Sequence, residues 1–173
     1  MNNENIDVSS NSVGSTKPTH PNASIFIIDD EQLITEVIRM YLKKGGYKNL
    51  HVFTDPVEAM ETLSFVRTDL ILTDVDMPEL SGKFLTRLAR KTPHLETTPI
   101  IVITSDDSEA TRKKLVGNGA DAILNKPVDC NDLLETVART LRSSQTDQSS
   151  DKKAESSKRA AAKEQELRQA FNR

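Results

Sequence analysis

The sequence predicts an α/β protein in which helices cover both faces of a doubly wound, five-stranded parallel sheet. Five short apolar runs alternate with segments of helical periodicity between residues 24 and 142. Apolar runs without polar alternation are typical of strands buried on both faces, and strand–helix alternation is typical of parallel sheets. A chain of 173 residues has room for one domain of this kind with additional tails.

The first two strand–helix units occupy the N-terminal part of this region. Residues 25–28 form an apolar run that ends at the acid pair 29–30, which suits a buried strand. Apolar residues then recur at helical spacing before the glycine pair 45–46, a helix stop: Ile34, Val37, Ile38, Tyr41 and Leu42. Residues 51–53 predict a second strand. The pair Asp55-Pro56 begins a second helix, because the missing N–H of proline costs nothing at a first helical position.

The third unit surrounds an aspartate. Residues 69–73 predict a buried strand that ends in Asp74, and Pro78 and Gly82 mark a loop after it. A helix follows with three apolar residues at helical spacing: Phe84, Leu85 and Leu88.

The last two units complete the sheet. Residues 100–103 predict a fourth strand, followed by Thr104-Ser105 and the acidic start of a helix at 106–109, where negative charge suits the helix dipole. Residues 122–124 predict a fifth strand that leads into Asn125-Lys126-Pro127. A final amphipathic helix carries the apolar stripe Leu133, Leu134, Val137, Ala138 and Leu141.

The two ends of the chain differ from this middle region. Residues 1–23 are rich in Asn, Ser, Thr and Pro and predict a disordered leader before the domain of residues 24–142. Residues 143–151 predict a linker. Residues 152–173 form a charged tail of strong helix formers and are predicted to be helical.

Composition excludes several classes of function. The formal net charge of -3 gives no reason to expect direct nucleic-acid binding or a membrane surface as the main partner. Because no apolar run is long enough for membrane insertion or secretion, a cytoplasmic location is expected. Cys130 is the single cysteine, so an internal disulfide is excluded, and His20, His51 and His94 are too scattered to indicate histidine-based catalysis.

Polar side chains follow four of the five predicted strands. In a parallel sheet the carboxyl ends of the strands share one edge, so six residues are expected there together: Asp29, Asp30, Asp74, Thr104, Ser105 and Lys126. Three neighbouring carboxylates repel one another unless a cation neutralises them, and hard oxygen ligands suit Mg²⁺. A hydroxyl and an ammonium beside such a site match the needs of a transferring phosphoryl group.

Each of these residues also has an ordinary interpretation. Asp29-Asp30 alone would serve as a helix cap, and Asp74 alone would be a loop acid. Their joint occurrence, each at a predicted strand end, is what indicates a functional site.

These residues resemble the receiver domains of two-component response regulators. The resemblance covers residues 24–142, in which the motifs IIDDE, LILTDVDMPELSG, IVITS and ILNKP follow one another in the family's order and spacing. It implies a flavodoxin-like (βα)5 fold and an aspartyl phosphate formed on Asp74. It also implies that Mg²⁺ is bound by Asp30, Asp74 and the backbone carbonyl of Asp76, with Asp29 acting through water.

The resemblance assigns the remaining site residues as well. Thr104 would bond to the phosphoryl oxygens, Lys126 would pair with them, and the peptide bond between Lys126 and Pro127 would be cis. Ile123 stands where the family often has Tyr or Phe, which puts an aromatic switch in doubt. Four residues are therefore expected to switch or modulate the site: Ser105, Asp106, Ile123 and Pro127.

The implied function is that of a phosphorylation switch, with no enzymatic activity beyond its own phosphorylation and dephosphorylation. A histidine kinase or phosphotransfer protein would donate the phosphoryl group, and an unknown downstream protein would receive the signal. Homodimer formation on phosphorylation is left open. Alternatives are a receiver portion of a longer protein whose output domain is absent from this sequence, a degenerate receiver, and a haloacid-dehalogenase-like phosphatase. The order of the acidic motifs argues against the phosphatase.

Overall fold

The computed structural model describes residues 18–144 and contains one five-stranded sheet within that range. The strands are β1 (Ser24–Ile28), β2 (Asn49–Phe53), β3 (Leu70–Asp74), β4 (Ile100–Thr104) and β5 (Ala122–Asn125). The helices are α1 (Gln32–Lys44), α2 (Pro56–Leu63), α3 (Gly82–Ala89) and α4 (Glu109–Gly117), and a last helix, α5, spans residues 130–144. All neighbouring strands are parallel, in the order β2-β1-β3-β4-β5. The predicted flavodoxin-like fold is confirmed.

Two apolar layers hold the helices on the sheet. Along β1, Ile25 and Ile27 belong to the layer beneath α1 and α5, whereas Phe26 and Ile28 belong to the layer beneath α2, α3 and α4. Every residue of β1, β3 and β4 is buried. These three central strands are thus covered on both faces, as their unbroken apolar sequences predict.

Several element boundaries differ from the predictions. β2 begins at Asn49 and not at His51, because Asn49 and Leu50 pair with the start of β1. Asp69 lies before β3, and its carboxylate accepts the N–H of Ser24 at 2.8 Å. Helix α4 begins at Glu109, where the Ser108 hydroxyl accepts the N–H of Thr111 at 3.3 Å. The acids that precede Ser108 are therefore part of the loop and not of the helix.

Arg90 connects two loops at the end of the sheet opposite the predicted site. Its guanidinium donates to the carbonyl oxygens of Thr98 at 2.6 Å and Gly119 at 2.8 Å. It also pairs with the Asp121 carboxylate at 2.6 Å, which in turn accepts the N–H of Ile100 at 2.7 Å. One side chain thereby joins the loop before β4 to the loop before β5.

The limits of the domain extend slightly beyond residues 24–142. Residues 18–23, assigned to the leader on sequence grounds, pack on the domain: the carbonyl of Pro21 accepts the N–H of Lys48 at 2.9 Å, and Ala23 is buried. Helix α5 continues through residues 143 and 144, which were assigned to the linker. The rest of the predicted leader and linker, and the whole predicted helical tail, lie outside the described residues. No helix in the described part of the chain is long and apolar enough to cross a membrane.

Candidate functional site

The parallel register brings the predicted site residues to one edge of the sheet. Asp74, at the end of β3, lies beside Ile103, and Thr104, at the end of β4, lies beside Asn125. The backbone N–H of Lys126 donates to the carbonyl oxygen of Thr104 at 2.8 Å, which fixes the chain as it leaves β5. The carboxyl ends of β3, β4 and β5 are therefore adjacent.

The Lys126 ammonium lies between two buried carboxylates at this edge. Its Nζ is 2.8 Å from Asp74 Oδ1 and 2.9 Å from Asp29 Oδ2. The exposed carboxylate of Glu31 is a third anionic neighbour, with its Oε1 3.5 Å from the same ammonium. Only 1% of Asp29 and 4% of Asp74 is exposed, so these charges interact in a poorly hydrated environment.

Burial and ion pairing compete in setting the pKa values of this cluster. Burial raises the pKa of Asp29, although Lys126 and the Glu31 N–H oppose the change. Burial acts to lower the pKa of Lys126, but its contacts with Asp74 and Asp29 outweigh that effect, and the pKa is raised. The lysine is therefore a permanent cation at neutral pH, and it offsets the repulsion between the two aspartates.

Backbone contacts hold Asp74 in place. The N–H of Asp76 donates to Asp74 Oδ2 at 2.7 Å. Helix α3 begins directly against the same backbone: the N–H of Gly82 donates to the carbonyl of Val75 at 3.0 Å, and a Cβ at Gly82 would lie 1.8 Å from the Asp74 carbonyl oxygen. A residue with a side chain cannot occupy position 82 without moving either α3 or Asp74.

Thr104 and Asp106 organise the loop that leads to α4. Thr104 is fully buried, and its Oγ1 accepts the N–H of Asp106 at 3.1 Å. The Asp106 carboxylate accepts hydrogen bonds from the Thr111 hydroxyl and from the Ser108 N–H at 2.9 Å. These bonds lower the pKa of Asp106 to about 2. The expected modulator at position 106 therefore acts as a brace between the Thr104 loop and α4.

The other predicted site residues lie around this cluster. Asp30 and Ser105 are exposed and belong to neither the ion-pair cluster nor the Asp106 brace. Ile123 is half-buried and packs on the apolar layer beneath α4. The Lys126–Pro127 peptide bond is cis, as the resemblance implied.

The donor set suits a cation, although no metal site is preassembled. Among residues 18–144, no three His, Cys, Asp or Glu side chains are grouped closely enough to hold a metal ion. The buried Asp29 Oδ2 lies 2.9 Å from the Lys126 ammonium and is the oxygen that a cation at this edge would share with the lysine. Buried carboxylate oxygens are hard ligands of the kind that Mg²⁺ binds.

Sequence reasoning missed two residues of the site, Glu31 and Gly82. Glu31 ends the IIDDE motif, and its position two residues after Asp29 is the signal that it lies at the same edge. Gly82 was interpreted only as a loop marker. Its place at the first position of α3, beside a buried aspartate, was the signal for a close backbone approach.

Comparison with known proteins agrees with this geometry. Residues 25–138 match the response regulator receiver domain. The response regulator MprA of Mycobacterium sp. (strain KMS) is 33% identical over 130 residues, which are 75% of this chain and 55% of that protein. The transcriptional regulatory protein CrdR of Helicobacter pylori is 35% identical over 115 residues, which are 66% of this chain and 53% of that protein. The chain thus spans about half the length of these relatives.

Solved structures share the fold. The chemotaxis response regulator CheY4 of Vibrio cholerae superposes with a TM-score of 0.65 at 28% identity, over 69% of this chain and 98% of that one. The receiver domain of the sensor histidine kinase PA1611 from Pseudomonas aeruginosa, which holds a magnesium ion in its active-site cleft, has a TM-score of 0.64 at 26% identity, with the same coverage.

The fold and the buried aspartate–lysine cluster define a signalling receiver of two-component systems. The chain belongs to the response regulator receiver domain family.

Proposed function

We propose that Asp74 accepts a phosphoryl group from a phosphohistidine of a histidine kinase or phosphotransfer protein. The observation that carries this proposal is the half-buried Lys126 ammonium, 2.8 Å from Asp74 and 2.9 Å from Asp29. A cation fixed beside a carboxylate that is held by the Asp76 N–H provides a nucleophile together with a charge that can neutralise an arriving phosphoryl group.

The transfer exchanges one bond to phosphorus for another. An Asp74 carboxylate oxygen forms a P–O bond while the P–N bond of the donor phosphohistidine breaks. The electron pair returns to the imidazole, whose other ring nitrogen carries a proton, so that a neutral histidine leaves. Lys126 then pairs with a phosphoryl oxygen in place of Asp74 Oδ1, and Thr104, at the neighbouring strand end, donates its hydroxyl hydrogen to another.

Mg²⁺ is the cofactor that the donor set favours. Asp30, Asp74 and the backbone carbonyl of Asp76 would hold the ion, with Asp29 acting through water. When bound, the metal supplies positive charge to the equatorial phosphoryl oxygens. The two buried carboxylates of Asp29 and Asp74 at one edge of the sheet are the observation that supports a cation there.

The proposed reaction modifies the chain itself and releases no small molecule. We propose that the chain acts on no other substrate, that it catalyses only its own phosphorylation and dephosphorylation, and that it signals through protein contacts with a downstream target. Its cytoplasmic location and its dimerisation on phosphorylation stay predictions. Steady phosphate release from a generic phosphoester such as p-nitrophenyl phosphate would instead favour a phosphatase.

The test is chemical phosphorylation of the full chain. Acetyl phosphate with Mg²⁺ should add one phosphoryl group, measured by mass spectrometry, and Asp74→Asn should abolish the added mass because an amide is a poor nucleophile. Asp107→Asn, which changes an exposed acid in the loop before α4 that has no role in the proposed site, is the matched control and should still be labelled. Equal labelling of Asp74→Asn and wild type would place the acceptor elsewhere.

A further inference from the structure

The outer side of α3 is an apolar surface that nothing in residues 18–144 covers. Phe84 is 54% exposed and Leu88 is 37% exposed, although Leu85 on the inner side of the same helix is fully buried. Phe84 and Leu88 lie one helical turn apart, Arg87 follows Phe84 by three residues on the same helix, and Lys91 lies in the turn just after α3. We define the α3 surface by these four residues: Phe84, Arg87, Leu88 and Lys91.

The charged side chains of the segment that contains α3 are all cationic. Residues 80–95 contain no acid, and the cations of this stretch are Lys83, Arg87, Arg90 and Lys91. Arg90 is engaged by Asp121, and Lys83 acts on the loop acid Asp106. Within the described residues, Arg87 and Lys91 form no ion pair, and both are exposed. Their charge is therefore available to an outside partner.

We propose that the α3 surface docks an acidic segment of a partner protein that places apolar side chains on Phe84 and Leu88. Aromatic and arginine side chains are enriched at protein interfaces, and complementary charge speeds and orients such encounters. Two apolar side chains make a small contact, typical of transient signalling complexes. A membrane surface fits less well, because an eight-residue helix offers too short an apolar face for insertion.

The start of α3 links this surface to the phosphorylation site. Gly82, the first residue of the helix, bonds to the Val75 carbonyl at 3.0 Å, and a Cβ there would lie 1.8 Å from the Asp74 carbonyl. A change in the backbone around Asp74 therefore displaces α3 directly. This link rests on the proposed phosphorylation of Asp74, whereas the docking itself does not.

The test measures binding of a fluorescein-labelled peptide of repeating Glu-Glu-Leu-Leu units to the full chain by fluorescence anisotropy. Wild type should bind, and both Phe84→Ser/Leu88→Ser and Arg87→Glu/Lys91→Glu should lower the affinity at least about tenfold. Lys44→Glu/Lys48→Glu, which reverses two exposed cations at the far side of the sheet, is the matched control and should bind as wild type does. Binding should also weaken as salt rises, since the contact is partly electrostatic.

Other results would overturn the inference. Equal loss in the Lys44→Glu/Lys48→Glu control would show attraction to net charge only, and unchanged binding in both α3 variants would place the contact elsewhere. Preferential binding to phosphatidylglycerol vesicles, lost in the same α3 variants, would assign the surface to a membrane. Labelling of Asp74 by acetyl phosphate is measured in each variant, so that a failure of phosphorylation is distinguished from a failure of docking.

The link between α3 and the phosphorylation site has its own test. In the wild type, amide NMR signals of residues 82–89 should shift on labelling; unshifted signals would overturn the link to α3.

Discussion

At the scale of single residues, Lys126 sets the charge balance of the site. Its ammonium contacts Asp29, Asp74 and Glu31, and only the last of these carboxylates is exposed. In the proposed phosphoryl transfer, this ammonium leaves Asp74 Oδ1 and pairs with the new phosphoryl oxygens. Glu31 does not take part in that chemistry, but it competes for the same cation from the rim.

The competition predicts a longer-lived aspartyl phosphate when Glu31 loses its carboxylate. In Glu31→Gln, one of the carboxylates that compete with the phosphoryl group for Lys126 is removed while Asp29 stays, so the label should decay about two- to fivefold more slowly, the scale of one partly exposed ion pair. Decay is followed by mass spectrometry after the donor is removed. Glu31→Asp keeps the charge but shortens the reach, and should decay as slowly as Glu31→Gln if the contact matters. Wild-type decay in both variants would refute the competition.

Asp106 gives the loop before α4 a defined pH dependence. Hydrogen bonds from Thr111 and Ser108 lower the pKa of Asp106 to about 2, below the ordinary value of 3.8. A group with a lowered folded-state pKa stabilises the protein above its unfolded pKa and loses that effect as pH falls through the folded value. Wild type should therefore lose stability between about pH 4 and pH 2 more steeply than Asp106→Asn, as measured by urea unfolding. Parallel curves would show that the brace contributes nothing.

At the same scale, the sequence predicted which residues gather at the site better than which of them contact one another. Asp29, Asp74 and Lys126 were placed at one edge because strand ends in a parallel sheet must meet there, and the structure brings them together. The sequence predicted three carboxylates and the ammonium at this edge but not which acids the lysine contacts: it lies between Asp29 and Asp74, while Asp30 stays exposed. Which charges pair depends on side-chain reach, and spacing along the chain does not encode it.

At the scale of elements, the strands and helices that bury the most apolar residues were predicted most accurately. The three central strands have unbroken apolar sequences and were predicted within a residue or two. Helix α4 buries Leu115 alone, so its sequence has almost no apolar period and its start was assigned to acids that lie in the loop. The Arg90 contacts could not be predicted, because they join carbonyl groups of loops that are distant in sequence.

Those contacts predict that Arg90→Ala lowers the stability of the domain without changing the phosphorylation of Asp74. The change leaves the carbonyls of Thr98 and Gly119 and the Asp121 carboxylate without their common donor, which should cost about 1–3 kcal/mol of unfolding free energy. Urea unfolding measures this, with Arg87→Ala, an exposed arginine of the same helix, as the control within about 0.5 kcal/mol of wild type. Acetyl phosphate labelling should be unchanged, because Arg90 lies at the opposite end of the sheet. An Arg90→Ala protein as stable as the control would show that water replaces these bonds.

At the scale of the whole molecule, the charges of the site contribute to the stability of the fold. Two carboxylates are buried at the edge of the central strands, and the lysine that neutralises them belongs to the loop after β5. The stability of the sheet edge therefore depends on a cation being present between Asp29 and Asp74. Either the ammonium or a bound metal ion can meet that requirement.

This dependence predicts that Mg²⁺ stabilises Lys126→Met more than it stabilises the wild type. Without metal, the variant leaves Asp29 and Asp74 unpaired and should lose about 2–4 kcal/mol of unfolding free energy, less than a fully buried pair because 15% of the lysine side chain is exposed. Added Mg²⁺ should recover most of that loss, and the thermal midpoint with and without the ion measures it. Asp30→Asn, which alters an exposed acid outside the cluster, should keep the metal-free midpoint and lose part of the Mg²⁺ increment. If Lys126→Met gains no more from Mg²⁺ than wild type does, the metal does not replace the ammonium, and the two cations must occupy separate places at the site.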